Sequence, residues 1–253
     1  EYDNAGNPTR FVSNYGDVAQ SGFGGVIVEN RMLGEMYLRQ PYCGNGSYSE
    51  GKPDINAGPV DGMIRTESDM AWVKAMIADG YKFNGVTKVA KDQLWYGDLI
   101  YADANGDGNY GDTNDMNFTG TSTQPRYNFG LNLSVGYKGF DFYMLWAGSA
   151  GFDLYWNHSS YNGTRTENGF GISQRVADNH YFYNPENPSD SRTNITAKYP
   201  RITDQTQRDN GTSSVFWKYK GDYVKLKNIQ IGYTIPVKWT RKFMVEKLRF
   251  YFS

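Results

Sequence analysis

The chain has 253 residues, with 26 basic residues against 27 acidic ones and no basic stripe of the kind that binds nucleic acid. A single cysteine, Cys43, excludes an internal disulfide framework and a cysteine-rich zinc site, and reads as a lone thiol in a Gly/Ser-rich loop. Two histidines, His158 and His180, leave no basis for a three-histidine metal centre or for histidine-based catalysis.

The aromatic content is high, with 21 Tyr, 14 Phe and 6 Trp beside 29 Gly. Aromatics, glycines and polar residues together predict β structure with many turns. Buried parallel strands would instead show continuous Val/Ile/Leu runs, which are absent. No run approaches the roughly 18 apolar residues of a membrane helix. A membrane-spanning barrel stays open, because its strands alternate apolar-out and polar-in over about 10 residues.

FGGVIVEN, ending at Asn30, predicts a strand. GFGG at Gly22 to Gly25 is too short for a phosphate loop. A loop-rich stretch runs from Pro41 to Pro59. TESDMAWVKAMIADG predicts one short helix: Thr66 or Ser68 caps it, acids fill its first turn, and Gly80 ends it. Met70, Val73, Met76 and Ile77 share one face and would pack it on a larger body.

YADANGDGNYGD follows. Asp103, Asn105, Asp107 and Gly108 match the first half of a calcium loop, in which oxygens at alternate positions converge on a hard cation. Asn114 stands where an EF-hand needs a bidentate Glu, while Asp112 and Asp115 sit nearby as if one residue were inserted. Asn109 completes a candidate set for Ca2+ or Mg2+ of Asp103, Asn105, Asp107, Asn109, Asp112 and Asp115. The same residue types also build tight turns.

RYNFGLNLSVGYKGFDFYMLWAG, from Arg126 to Gly148, changes the pattern. Tyr127, Phe129, Leu131, Leu133, Val135 and Tyr137 alternate with small and polar residues, giving a strand with one apolar and one polar face. Lys138-Gly139 predicts a tight turn, after which Phe140, Phe142, Met144 and Trp146 repeat the alternation, blurred by Tyr143 and Leu145. Residues 150–214 show little alternation and carry Trp156, Tyr161, Tyr181, Phe182 and Tyr183. Trp156, Tyr161, Tyr181 and Tyr183 are candidate solute-stacking residues, or else they pack the loops on each other. In YVKLKNIQIGYTIP, Val224, Leu226, Asn228 and Gln230 alternate with Tyr223, Lys225, Lys227 and Ile229, and the odd face changes from Lys to aliphatic as Ile231 and Tyr233 continue it. Pro236 ends that strand, and Leu248, Phe250 and Phe252 mark another. Short connections at 138–139 and 236–245 alternate with very long ones at 31–125 and 150–214. An outer-membrane barrel has that rhythm, with short periplasmic turns and long extracellular loops. No catalytic constellation is readable, so no enzyme is expected.

GDLIYADANGDGNYGDTND, PRYNFGLNLSVGYKGFDFYMLWAGSAGFDLY, YPRIT and FWKYKGDYVKLKNIQIGYTIP followed by LRFYFS resemble, in that order, the C-terminal part of SusC/RagA-type TonB-dependent transporters. The match covers most of the chain from Gly97 onward; RMLGEMYLRQ and DGMIRTESDMAWVKAMIADGYKF match the family more loosely. The extra residue between Asp107 and Asp115 departs from the family pattern. The resemblance implies an all-β fold, part of a transmembrane antiparallel barrel that has 22 strands in the family. It implies that the whole of 1–253 is partial barrel domain, with five or six strands and with 31–125 and 150–214 as extracellular loops. Both ends read as cut: a signal peptide, TonB box and plug would precede this chain, and further strands would follow. The apolar strand faces would meet lipid, with Tyr137 and Trp146 in an interfacial girdle. The implied activity is outer-membrane import of an oligosaccharide or peptide, powered through the TonB complex and shared with a SusD-like lipoprotein. A secreted, calcium-stabilised carbohydrate-binding β-sandwich is the alternative, and a surface structural protein a third.

Overall fold

The computed structural model describes Met32 and residues 34–49, 51–156, 172–202 and 210–253. The strand expected at FGGVIVEN, His158 and Tyr161 lie outside the described residues. The chain divides into two compact units: residues 1–121 with 155–219, and residues 122–154 with 220–253.

Four elements of the first unit precede the long strands. β1 (Glu35–Leu38) pairs with β4 (Asn117–Ser122), and β2 (Lys82–Phe83) lies parallel to β3 (Asn109–Tyr110). Between them, α1 (Glu67–Ala78) forms where the sequence predicts it, and Thr66 is its cap. The Thr66 hydroxyl accepts from Asp69 N at 3.1 Å, and the Asp69 carboxylate accepts from Thr66 N at 2.9 Å. This reciprocal box satisfies donors that the first helical turn leaves open. Gly80, in the left-handed region at φ +100°, follows the last turn.

Met70, Val73 and Met76 are buried as the stripe predicts, and Ile77 packs beside them. The centre of the core is a residue outside that stripe. Trp72 is fully buried, stacks on Tyr42 at 4.8 Å and donates its indole N–H to Asp54 O at 2.8 Å. Phe83 and Tyr110 complete the aromatic cluster. Gly58, at φ +85°, lies against the Trp72 ring so closely that a Cβ would come within 2.5 Å of it. A second cluster gathers Val176, Tyr199 and Trp217, with Trp156 against it. The two stretches that read as loops are therefore a folded unit with cores of their own.

The second unit is a sheet of four long or edge strands, in the order β10-β9-β6-β5. β5 (Tyr127–Tyr137) and β6 (Phe140–Ala150) form the expected hairpin. Lys138 and Gly139 both have positive φ, +46° and +90°, the type I′ geometry that matches strand twist. After β7 (Asp153–Tyr155) and β8 (Lys218–Lys220), β9 (Tyr223–Thr234) returns antiparallel to β6, and β10 (Arg249–Phe252) pairs with β9. The sheet has four strands among the described residues, against the five or six expected, and is open.

Register places Tyr127, Phe129, Leu131, Leu133, Val135 and Tyr137 beside Ala150, Gly148, Trp146, Met144, Phe142 and Phe140 on one face. The parity switch in β9 has a simple cause. Leu145 pairs with Asn228, but Trp146 pairs with Leu226, so Lys227 is an extra residue in a bulge. The bulge returns Val224 and Leu226 to the face that carries Ile229, Ile231 and Tyr233. Phe250 and Phe252 extend the same face on β10. Phe129 lays its ring over Gly148, where a Cβ would come within 2.5 Å of it. An aromatic ring covering a strand glycine opposite is a known way of filling such a gap.

This apolar face is open. Its β5 residues are between 41% and 67% exposed. A soluble sandwich needs a second sheet over such a face, and among the described residues of this unit there is none. The other face carries Asn128, Asn132, Ser134 and Gln230, with Tyr143 and Leu145 among them. There Arg249 on β10 donates Nε to Asp141 on β6 at 3.0 Å, across the intervening β9. Gly232 makes this possible: a Cβ would lie 2.6 Å from the Asp141 carboxylate and 2.7 Å from the Arg249 guanidinium. Gly232→Val is expected to separate the pair and lower the stability of the sheet by about 1–3 kcal/mol. The check is the temperature at which the folded gel band of the full-length protein converts to the unfolded one.

Candidate functional site

The acidic loop and the aromatics of residues 150–214 are the sites that the sequence offers, and both lie in the first unit. In the acidic loop the carboxylates face the backbone. Asp103 Oδ1 accepts from Gly106 N at 2.7 Å and its Oδ2 from Gly108 N at 2.9 Å. Asp107 accepts from Asn109 N at 2.8 Å and from the Asn105 amide at 2.9 Å. Asp112 accepts from Asn114 N at 2.7 Å, and the Asn109 amide donates to it at 3.1 Å. Asp115 is the hub. It is buried, and its two oxygens take four backbone N–H groups: Ala104 at 2.7 Å, Asn105 at 3.3 Å, Gly111 at 2.7 Å and Asp112 at 3.2 Å.

Such bonds suit turns, where Asx side chains satisfy amides two or three residues on. Each carboxylate oxygen that accepts one such bond keeps a further lone pair. Among the described residues no group of three or more His, Cys, Asp or Glu is placed to hold a metal. Adding calcium to the full-length protein is therefore expected to leave amide exchange at Gly106 and Gly108 unchanged. Slower exchange there would mean that the loop rearranges around an ion.

Of the four candidate stacking residues, Tyr161 lies outside the described residues, Tyr181 and Tyr183 border one groove, and Trp156 packs in a core cluster. Trp156 packs edge-on against Trp217 at 5.8 Å and Tyr199 at 6.4 Å, in the second core cluster. Tyr181 is buried and donates its hydroxyl to Arg65 O at 2.6 Å; burial pushes its phenol pKa up. Tyr183 is half-buried, donates to Glu67 at 3.0 Å and stands edge-on to Tyr96 at 5.1 Å. The hydrogen bond to Glu67 holds the Tyr183 phenol above its ordinary value, so it stays a donor.

Tyr181 and Tyr183 border a groove of about 280 Å3 that also takes Lys91, Trp95, His180 and Phe182. Trp95 and Tyr96 meet at right angles, with ring centroids 5.5 Å apart. His180 Nδ1 is 2.7 Å from Ala177 O, which makes Nε2 the lone-pair nitrogen of the neutral ring. The groove offers aromatic faces beside the Lys91 ammonium, the Arg201 guanidinium, the Glu186 carboxylate and the His180 imidazole. The sequence reading missed Trp95 and Lys91, whose stretch has no periodicity. The adjacent Trp and Tyr at 95–96 were the available signal.

Polar contacts between distant segments hold the groove's frame. Asp98 is fully buried; Arg201 donates to its two oxygens at 2.6 and 2.9 Å, and the Asn210 amide donates at 2.8 Å. Burial pushes the Asp98 carboxyl up, against the pull of Arg201 and Asn210. Arg65 donates to Ile195 O and Ala197 O at 2.7 and 2.9 Å.

No family model matches the chain. TonB-dependent receptor P3 of Formosa agariphila is 28% identical over 183 residues, which are 69% of this chain and 16% of that protein. TonB-dependent receptor P39 of the same organism is 29% identical over 219 residues, 83% of this chain and 19% of that protein. A chain in the solved structure of the RagAB peptide transporter superposes with a TM-score of 0.51 at 11% identity, over 92% of this chain and 19% of that one. The chain is similar to part of a SusC/RagA-type TonB-dependent transporter.

The chain spans under a fifth of the length of each of these relatives. The four-stranded sheet has the fold of an open piece of a transmembrane β-barrel. In such a barrel the face of Leu131, Met144 and Ile231 meets lipid and the face of Asn132, Ser134 and Gln230 meets the lumen. No helix among the described residues is long and apolar enough to cross a membrane.

Proposed function

We propose that this chain is part of an importer in a bacterial outer membrane, driven through TonB and working with a SusD-like surface lipoprotein. The observation that carries the reading is the exposed apolar face, continuous over four strands and kept in phase by the Lys227 bulge. A sheet pays for such a face in water and gains by it in lipid. The connections support it too. Lys138-Gly139 and residues 235–248 join strands at one end of the sheet, and the long segments of the first unit join them at the other. By the barrel rule the first unit is then extracellular, where a solute and a lipoprotein would be met.

The solute is an oligosaccharide or a peptide. RagAB is a peptide transporter, and aromatic faces stack on sugar rings as well. Within the first unit the groove of Trp95, Tyr181, Phe182 and Tyr183 is the place we assign to solute contact; Trp156 packs in the second core cluster, and Tyr161 stays a candidate by sequence alone. The acidic loop stiffens the same unit through Asp115, with or without Ca2+ or Mg2+.

The test uses the full-length protein in cells. Outer membranes are extracted in detergent, boiled and unboiled gel mobilities are compared, and copurifying lipoproteins are identified. A heat-modifiable band that brings down a SusD-like lipoprotein, and solute uptake lost without TonB, is the expected result. A soluble monomer released without detergent would overturn the reading.

A further inference from the structure

The connection between β9 and β10 is more than a turn. Pro236 closes β9, and α2 (Val237–Thr240) with a 3₁₀ turn (Arg241–Phe243) carries the chain on towards Leu248. Ile235, Trp239, Phe243, Val245 and Leu248 line a wholly apolar cleft of about 240 Å3. Trp239, Phe243 and Met244 are 66%, 77% and 96% exposed. Lys238, Arg241, Lys242 and Lys247 surround them, all exposed, against the single acid Glu246. Large apolar side chains ringed by cations on so short a segment are the composition of a membrane-interface element.

Position agrees with composition. Thr234 N donates to Gly139 O at 2.7 Å, and Ile235 N to Leu248 O at 2.9 Å, so this connection adjoins the β5–β6 turn at the same end of the sheet. The apolar strand face runs into it through Phe140, Tyr233 and Phe250; the first two rings lie 4.5 Å apart. The lipid-facing band and the apolar connection are thus continuous. Short connections lie at the periplasmic side of such barrels, where the leaflet is phospholipid.

We propose that residues 237–248 form an interfacial anchor that binds anionic phospholipid. Trp239, Phe243 and Met244 enter the boundary of the acyl chains, where an amphipathic ring is favoured. Lys238, Arg241, Lys242 and Lys247 reach the headgroup phosphates on their flexible stems. The excess of cations argues against a second copy of the same surface as the occupant. The proposal rests on the membrane reading above.

Vesicle reconstitution of the full-length protein tests it, with acyl-brominated phosphatidylglycerol or phosphatidylcholine as the quencher. The emission difference between wild type and Trp239→Phe (or Trp239→Tyr, if the first inserts poorly) reports Trp239 alone. Brominated lipid is expected to quench that difference, and in mixed vesicles phosphatidylglycerol is expected to quench it more. Lys238→Gln, Arg241→Gln and Lys242→Gln should each lower the anionic preference about fivefold, the equivalent of about 1 kcal/mol per charge. An unquenched difference, as under a bound protein, or equal quenching by both lipids overturns the anchor. Leu131→Trp in the Trp239→Phe background separates the two claims. If it is quenched while Trp239 is not, the anchor alone fails; if it is not quenched, the membrane reading fails as well.

Discussion

Replacing Arg201 with Met is expected to lower the stability of the first unit by about 3–5 kcal/mol. The loss comes from what is left behind. Asp98 is fully buried, while the Arg201 side chain keeps 13% of its surface in solvent. Removing the guanidinium strands a carboxylate without its counter-charge. Asp98→Asn strands a partly solvated cation instead, and should cost less. The Arg201→Met penalty also has a pH signature. Burial already raises the Asp98 pKa, and without Arg201 it rises further. A carboxyl with a raised folded-state pKa favours folding below its unfolded value, near 3.9, and this is lost as pH rises through the folded value. The variant's deficit should therefore be small near pH 4 and full at pH 7. Hydrogen exchange of peptides spanning 95–101 and 195–202 in the full-length protein measures both.

Asp115→Ala is the second large effect. Four backbone N–H groups lose one buried charged acceptor, with an expected cost of about 3–5 kcal/mol. Asp115→Asn should be nearly as harmful, because its amide would point donors at donors. Asp107→Asn, at an exposed position, should cost under about 1 kcal/mol. Exchange at Ala104 and Gly111 should speed up by about two to four orders of magnitude in the first two variants and little in the third. Equal effects at 107 and 115 would show that the loop works as a diffuse cluster instead of through one hub.

The β5–β6 hairpin and α1 were legible because each announces itself locally: period two and a Lys-Gly turn, a Thr cap and a Gly stop. The first unit's cohesion was not. Arg201 lies 103 positions from Asp98 and Arg65 lies 130 from Ile195, and nothing near either residue signals the other. Trp72 escaped because the helix buries a face wider than a simple stripe. The acidic loop was legible as a turn, but the sequence could not say whether its oxygens face an ion or the backbone. Its spacing serves both. The groove residue Trp95 had no pattern around it, since loop side chains are positioned by long-range packing.

The extra residue at Lys227 bears on ancestry and engineering. β9 is one strand in space but two half-strands out of step in the sequence. A gapless comparison across that point sets outward positions of one chain against inward positions of another, so substitutions would look radical where chemistry has been kept. Deleting Lys227 would remove the bulge and make the alternation regular, with Val224 and Leu226 still on the face of Ile229 and Ile231.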